Sequence, residues 1–182
     1  MRLASWHWGG SPHAGTVSAD GAEVTPLAVP QPERGVLRLV QMLARGEPLP
    51  RASGARLPMS AVTLRAPLPR PLRGLFCIGR NYHAHAAELA NTVCRESLPK
   101  EHQWPIVFGK LAECVIGPHE AVRLPARSIS EQIDYESELA VIIGQRAREV
   151  SEDDAMNYVY GYCVANDVTA RDVLRSTGNP TL

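Results

Sequence analysis

Three prolines alternate across Pro67-Leu68-Pro69-Arg70-Pro71, and this stretch restricts the fold before any other feature does. Each proline fixes φ near roughly −65° and removes a backbone donor, so the segment can neither continue a helix nor donate evenly to a sheet. It reads as a stiff linker over 67–71, separating a small N-terminal domain, 1–66, from a larger one, 72–182. Ahead of it, Gly9-Gly10-Ser11-Pro12 and Asp20-Gly21 are turn signals between short strand candidates, including His13 to Val17. Val36, Leu37, Leu39, Val40 and Leu43 then recur at helical spacing, and Gly46 stops that helix.

Beyond the prolines the texture changes to short apolar runs. Leu75 to Ile78 predicts a buried strand broken by Gly79, and Tyr82 to Ala90 has the composition of a helix or helical turn. Asn91 to Pro105 is polar and mixed, in the manner of loops that carry function. Strands are expected at Ile106–Phe108, Ala121–Leu124, Leu139–Ile143 and Tyr162–Val168. A helix is expected from Ser151, a good N-cap followed by three acids, to Gly161. Many short strands and few helices give an α+β class, mostly β.

Composition excludes several function classes. The net charge is +0 and the pI about 7.0, so no electrostatic footprint for nucleic acid or an anionic membrane is expected. No apolar run reaches the length of a membrane span, and Met1 to His7 lacks the apolar core of a signal peptide. Cys77, Cys94, Cys114 and Cys163 stand far apart, without the spacing of a zinc knuckle or redox pair. A cytoplasmic, thiol-reducing setting follows as the expectation.

The clearest chemical feature is Asp134-Tyr135-Glu136-Ser137-Glu138, running into an apolar strand. Residues two apart on a strand share a face, so Glu136 and Glu138 would sit side by side and repel unless a cation or proton lies between them. Asp167, on another expected strand, could complete a set of three oxygen ligands, which suits Mg²⁺ or Mn²⁺ better than zinc. A solvated acidic edge strand explains the same residues, and spacing alone favours it. His85 and Glu88 lie three apart, close enough on a helix for the carboxylate to orient the imidazole as a general base. An ordinary surface contact explains that pair too. His83 points elsewhere on a helix and lacks an acid at the same spacing. Lys110, Arg80 and Arg171 could each pair with a substrate carboxylate, or be surface cations. Cys94, His102, Cys114 and His119 match no common zinc pattern.

Four blocks resemble the fumarylacetoacetate hydrolase family. Gly79-Arg80-Asn81-Tyr82-His83-Ala84-His85-Ala86-Ala87-Glu88 is similar to its G-x-N-Y-x-x-H-x-x-E signature, and Phe108-Gly109-Lys110 falls at its F-x-K-P segment. Asp134 to Gly144 resembles its D-Y-E-x-E-L-A-V-V-I-G block, and Tyr158 to Asp172 its Y-V-x-G-Y-x-x-x-N-D-V-S-A-R-D block. The N-terminal unit resembles the small leading domain of bacterial members.

The resemblance implies a small N-terminal domain followed by part of a mixed β-sandwich roll, commonly a homodimer. It implies Glu136, Glu138 and Asp167 as ligands of Mg²⁺ or Mn²⁺, and His85 with Glu88 as the water-activating dyad on a lid. Lys110 would hold the substrate or developing enolate, with Arg80, Tyr82 and Arg171 as substrate contacts. The implied reaction is metal-dependent hydrolysis of a C–C bond in an acylpyruvate or fumarylacetoacetate-like β-diketo acid. The alternative is a hydratase, isomerase or decarboxylase on muconate-type oxo-diacids of aromatic catabolism. Two departures from the pattern stand out: Leu111 replaces the proline after Lys110, and the sequence stops at Leu182 where family members continue. A chain lacking the later strands is expected to expose apolar faces such as Leu139 to Ile143, and to turn over poorly. An inactive remnant that only binds metal, or pairs with full-length copies, is the reading from another class.

Overall fold

The computed structural model describes residues 1–79, 81–82 and 105–176. Its contacts divide the chain into two compact units. The first comprises Met1–Leu72, Ala112–Ala121 and Glu138–Ala165, and the second Arg73–Leu111, Val122–Ser137 and Asn166–Leu182.

The first unit starts with strands β1 (Arg2–Trp8) and β2 (Ser11–Val17), paired antiparallel with Trp6 opposite His13 and Trp8 opposite Ser11. The connecting residues Gly9 and Gly10 have φ of 56° and 76°. A two-residue hairpin needs positive φ at both positions to match the strands' twist, and glycine supplies it without a Cβ clash. β3 (Glu23–Pro26), β4 (Leu57–Pro58) and β5 (Thr63–Leu64) complete a five-stranded sheet in the order β4-β3-β2-β1-β5. Helix α1 (Leu37–Ala44) buries Leu37, Leu39 and Val40, as the spacing predicts, and ends just before Gly46 at φ 75°.

Ala14, Leu27, Val36, Leu39 and Val40 form the core of this unit, with Ile142 and Tyr160 packed against it from strands much later in the chain. The proline segment is anchored rather than loose at its start. Pro67 O accepts from Val36 N at 2.9 Å and from Ser5 Oγ at 2.8 Å. Gly35, at φ 65°, permits that approach, because a Cβ there would overlap the Pro67 carbonyl and the Ser5 hydroxyl.

In the second unit β6 (Leu75–Gly79) pairs antiparallel with β7 (Ile106–Lys110), Leu75 facing Lys110 and Gly79 facing Ile106. The apolar run at Leu75–Ile78 predicts burial of both faces. Instead Phe76 is 79% and Ile78 43% exposed while Leu75 and Cys77 are half-buried, because the strand alternates and only one face is covered.

β8 (Ile133–Ile143) and β9 (Val159–Ala170) pair with each other, and each contributes residues to both units. Before β9 comes the four-residue helix α2 (Glu152–Ala155), which Ser151 caps by accepting from Asp154 N. A 3₁₀ turn follows at Met156–Tyr158. Helix α3 (Arg171–Ser176) directly continues β9.

Two expectations are corrected here. The helix from Ser151 does not extend to Gly161, which lies inside β9: the aromatic and β-branched residues around it favour strand, and Gly144 N donates to Tyr158 O at 2.9 Å. Ala121–Leu124 forms no strand. It lies between Pro118 and Pro125, Val122 and Leu124 are exposed, and no strand among the described residues pairs with it. The chain is therefore mostly strand with few helices, as the composition of its segments predicts.

Candidate functional site

The N-terminal half of β8 presents Asp134, Glu136 and Glu138 at alternate positions, so the strand's period of two directs them to one face. Arg171, the first residue of α3, meets two of them. Its Nε lies 2.9 Å from Asp134 Oδ2 and its Nη2 2.7 Å from Glu136 Oε1. The guanidinium carries its donors in a fixed planar fork, which lets one side chain serve both carboxylates. Its hydrogen bond to Asp134, with its charge, holds that carboxyl below the ordinary carboxylate range. Burial pulls the Arg171 guanidinium down, but the hydrogen bond to Asp134 and the charges of Glu136 and Asp134 outweigh it and leave it raised.

Asp167 sits in β9 with its side chain 12% exposed, and the Lys110 ammonium from the end of β7 pairs with its carboxylate. Asp167 Oδ1 is shut off from solvent, and among the described residues the Lys110 ion pair is the interaction that offsets its charge. Lys110 Nζ also donates to Val168 O at 3.0 Å.

α3 is tied to the residues leading into β8. Arg171 N donates to Gln132 O at 2.8 Å, Ser130 Oγ to Asp172 Oδ1 at 2.5 Å, and Glu131 N to Asp172 Oδ2 at 2.8 Å. The Ser130 hydrogen bond, then that of Glu131, lowers the Asp172 carboxyl. Ser130 is 5% exposed, so its hydroxyl needs this partner.

The sequence-predicted residues therefore fall in different places. Glu136 and Glu138 stand two apart on one strand, Glu136 half-buried and Glu138 exposed, and Asp167 lies on the paired strand. Among the described residues no group of three or more His, Cys, Asp or Glu is gathered to hold a metal ion. Glu136 faces Arg171 and Asp167 faces Lys110. As a donor set, three carboxylates offer only hard oxygens, and two of them already draw cationic side chains; that chemistry fits a hard divalent cation.

Tyr82 is exposed. Arg80, His83, His85, Glu88, Cys94 and His102 lie outside the described residues. Sequence reasoning gave no role to Asp134, Ser130 or Asp172. Asp134 carried a usable signal, since it precedes Glu136 by two on the same strand. Asp172 carried none, because its partners are 41 and 42 residues away.

A family profile described as fumarylacetoacetate (FAA) hydrolase C-terminal matches residues 74–181. A protein of Bos taurus named oxaloacetate tautomerase FAHD2A, mitochondrial, is 38% identical over 185 residues, which cover 94% of this chain and 54% of the relative. Among solved structures, fumarylacetoacetate hydrolase (EaFAH) from psychrophilic Exiguobacterium antarcticum is similar with TM-score 0.71 and 27% identity, over 98% of this chain and 59% of that one. Maleylpyruvate hydrolase from Sphingobium sp. SYK-6, in complex with manganese (II) ion and pyruvate, is similar with TM-score 0.66 and 28% identity, over 94% of this chain and 60% of that one. The chain spans about half the length of the curated relatives such as FAHD2A that it matches.

Proposed function

The chain belongs to the fumarylacetoacetate hydrolase family, and on that premise we propose that it serves metal-dependent proton transfer on a small 2-oxo acid, a keto–enol tautomerisation or isomerisation. The observation that carries this reading is the pairing of carboxylates with two cationic side chains on β7–β9 and α3: Glu136 with Arg171, and Asp167 with Lys110. Such a site can hold a cation on its acids and an oxyanion on its bases. The name of the bovine relative, an oxaloacetate tautomerase, favours proton transfer over bond cleavage.

Glu136, Glu138 and Asp167 would hold Mg²⁺ or Mn²⁺, which when bound supplies Lewis-acid polarisation of the 2-oxo group. His85, oriented by Glu88, would remove a proton from the carbon next to that carbonyl. Lys110, an ammonium already beside a carboxylate and a carbonyl oxygen, would hold the developing enolate oxygen and steady its negative charge. The proton is then delivered to the enolate oxygen, the same path in reverse takes enol to ketone, and no carbon–carbon bond breaks. Arg80, Tyr82 and Arg171 would contact the substrate carboxylates.

A second reading keeps the hydrolysis expected from the sequence. The same dyad would deprotonate water for attack on an acylpyruvate, and the similarity to a maleylpyruvate hydrolase holding manganese and pyruvate favours it. We place the protein in the cytoplasm as a homodimer, with 1–66 as its small leading domain and 72–182 as its catalytic part. Among the described residues no helix is long and apolar enough to cross a membrane.

Turnover separates these readings. The chain is assayed with Mg²⁺ or Mn²⁺ on enol-oxaloacetate, by loss of enol absorbance, and on a panel of acylpyruvates, by release of pyruvate. Tautomerisation without cleavage is expected, with His85→Ala lowering kcat by about 10²–10⁴-fold and His83→Ala much less. Pyruvate release would favour hydrolysis, and equal losses at the two histidines would overturn the dyad.

A further inference from the structure

Arg171 carries more of the local geometry than a substrate contact would. It is the residue at which β9 becomes α3, and its backbone N–H already bonds Gln132 O at 2.8 Å, one residue before β8 begins. Its side chain then reaches forward along β8 to two acids on the same face, at 2.9 Å and 2.7 Å. Those bonds use two different nitrogens, Nε and Nη2, so the guanidinium plane is fixed at both ends. The next residue, Asp172, takes the Ser130 hydroxyl and the Glu131 N–H on its two oxygens. Backbone and both side chains of Arg171-Asp172 thus grip the 130–136 stretch from the start of α3, where Arg171 stands four residues after Asp167.

We propose that the Arg171–Asp172 pair is a positioning clasp, which sets the Glu136 carboxylate on β8 in register with Asp167 on β9 so that both can face one cation. Arg171 acts through Glu136 and does not itself touch the ion. The inference rests on the reading that Glu136, Glu138 and Asp167 bind a divalent metal. It adds a structural hold on a ligand to the substrate contact proposed for Arg171. A guanidinium beside a ligand carboxylate has two opposite possible effects. As a competitor it would weaken metal binding by neutralising the carboxylate. As a clasp it strengthens binding by removing the cost of orienting the ligand, and loss of such a partner lowers affinity about 10–100-fold. The sign of one substitution decides between them.

The test titrates the 182-residue chain with Mn²⁺ alone, counting free ion by electron paramagnetic resonance, and follows hydrogen exchange of 130–137 by mass spectrometry without metal. Arg171→Met is expected to weaken Mn²⁺ binding about 10–100-fold and to speed exchange across 130–137 while β1–β3 stays protected. Arg171→Lys keeps the charge but cannot donate from two fixed nitrogens, so it should fall between, and it serves should the methionine variant not fold. Asp172→Asn should speed the same exchange. Arg175→Ala is the control: Arg175 Nη1 bonds Gln132 Oε1 at 2.8 Å from the same helix without touching either acid, so Mn²⁺ affinity should hold. Equal or tighter Mn²⁺ binding in Arg171→Met overturns the clasp, as does an equal loss in Arg175→Ala. A parent chain that takes up no Mn²⁺ overturns the metal reading instead. The exchange data then decide the clasp alone, and unchanged exchange in Arg171→Met overturns it.

Discussion

Replacing Lys110 with Met removes the one charge partner of the Asp167 carboxylate among the described residues while keeping most of the apolar stem. The Lys110 and Asp167 side chains are 26% and 12% exposed. A fully exposed ion pair is worth about 0–1 kcal/mol, whereas breaking a buried one costs about 3–5 kcal/mol, because the remaining charge is stranded. These exposures lie nearer the buried limit, and the bond to Val168 O is lost as well. Lys110→Met should therefore cost about 2–3 kcal/mol, a large share of the roughly 5–15 kcal/mol that holds an ordinary domain. Urea denaturation followed by far-ultraviolet circular dichroism measures this. The double variant Lys110→Met/Asp167→Asn should lose less than the sum of the single losses, since it leaves no unpaired carboxylate. Saturating Mn²⁺ should also reduce the loss in Lys110→Met, because a cation on Asp167 offsets the same charge. A single variant within about 0.5 kcal/mol of the parent, or strict additivity in the double, would show that Lys110 does not offset the Asp167 charge.

Two further outcomes follow from the same structure. Arg171 holds the Asp134 carboxyl below its ordinary value of 3.8, so this pair adds stability that is fully present above that pH and is lost as pH falls through the lowered value. Arg171→Met should move the acid-unfolding midpoint to higher pH, and an unmoved midpoint would show that the pair carries no linkage. On β8, Leu139, Val141 and Ile143 are each about half exposed, an alternating apolar row that invites association. Changing the three to Thr should lower the scattering mass of concentrated samples, and an unchanged mass would acquit this row.

What the sequence made legible follows from how local each determinant is. The Gly9-Gly10 hairpin, α1 and the Ser151 cap are specified by residues within a few positions, and each forms as the pattern predicts. Burial was harder to read. Leu75–Ile78 looks like a strand covered on both sides, but coverage depends on what other segments bring to it, and Phe76 stays exposed. Ala121–Leu124 forms no strand for a related reason: a short run with three apolar residues becomes a strand only beside a partner edge. Gly161 was misread as a helix stop because an isolated glycine punctuates helices and strands alike.

At the candidate site, the alternation of Asp134, Glu136 and Glu138 was visible along one strand. The contacts of Arg171 with Asp134 and of Asp172 with Ser130, which span 37 and 42 residues, were not. From sequence Lys110 reads as a partner for substrate, and its pairing with Asp167, 57 residues on, emerges only from the meeting of β7 with β9.

On the proposed reading, Glu136, Glu138 and Asp167 bind one hard divalent cation. Isothermal calorimetry of the chain with Mn²⁺, beside its Glu138→Ala variant, tests it most directly. A single site is expected in the parent that disappears in the variant, with Mg²⁺ competing for it. Equal binding by both proteins, or a preference for Zn²⁺ that depends on Cys114, would contradict it.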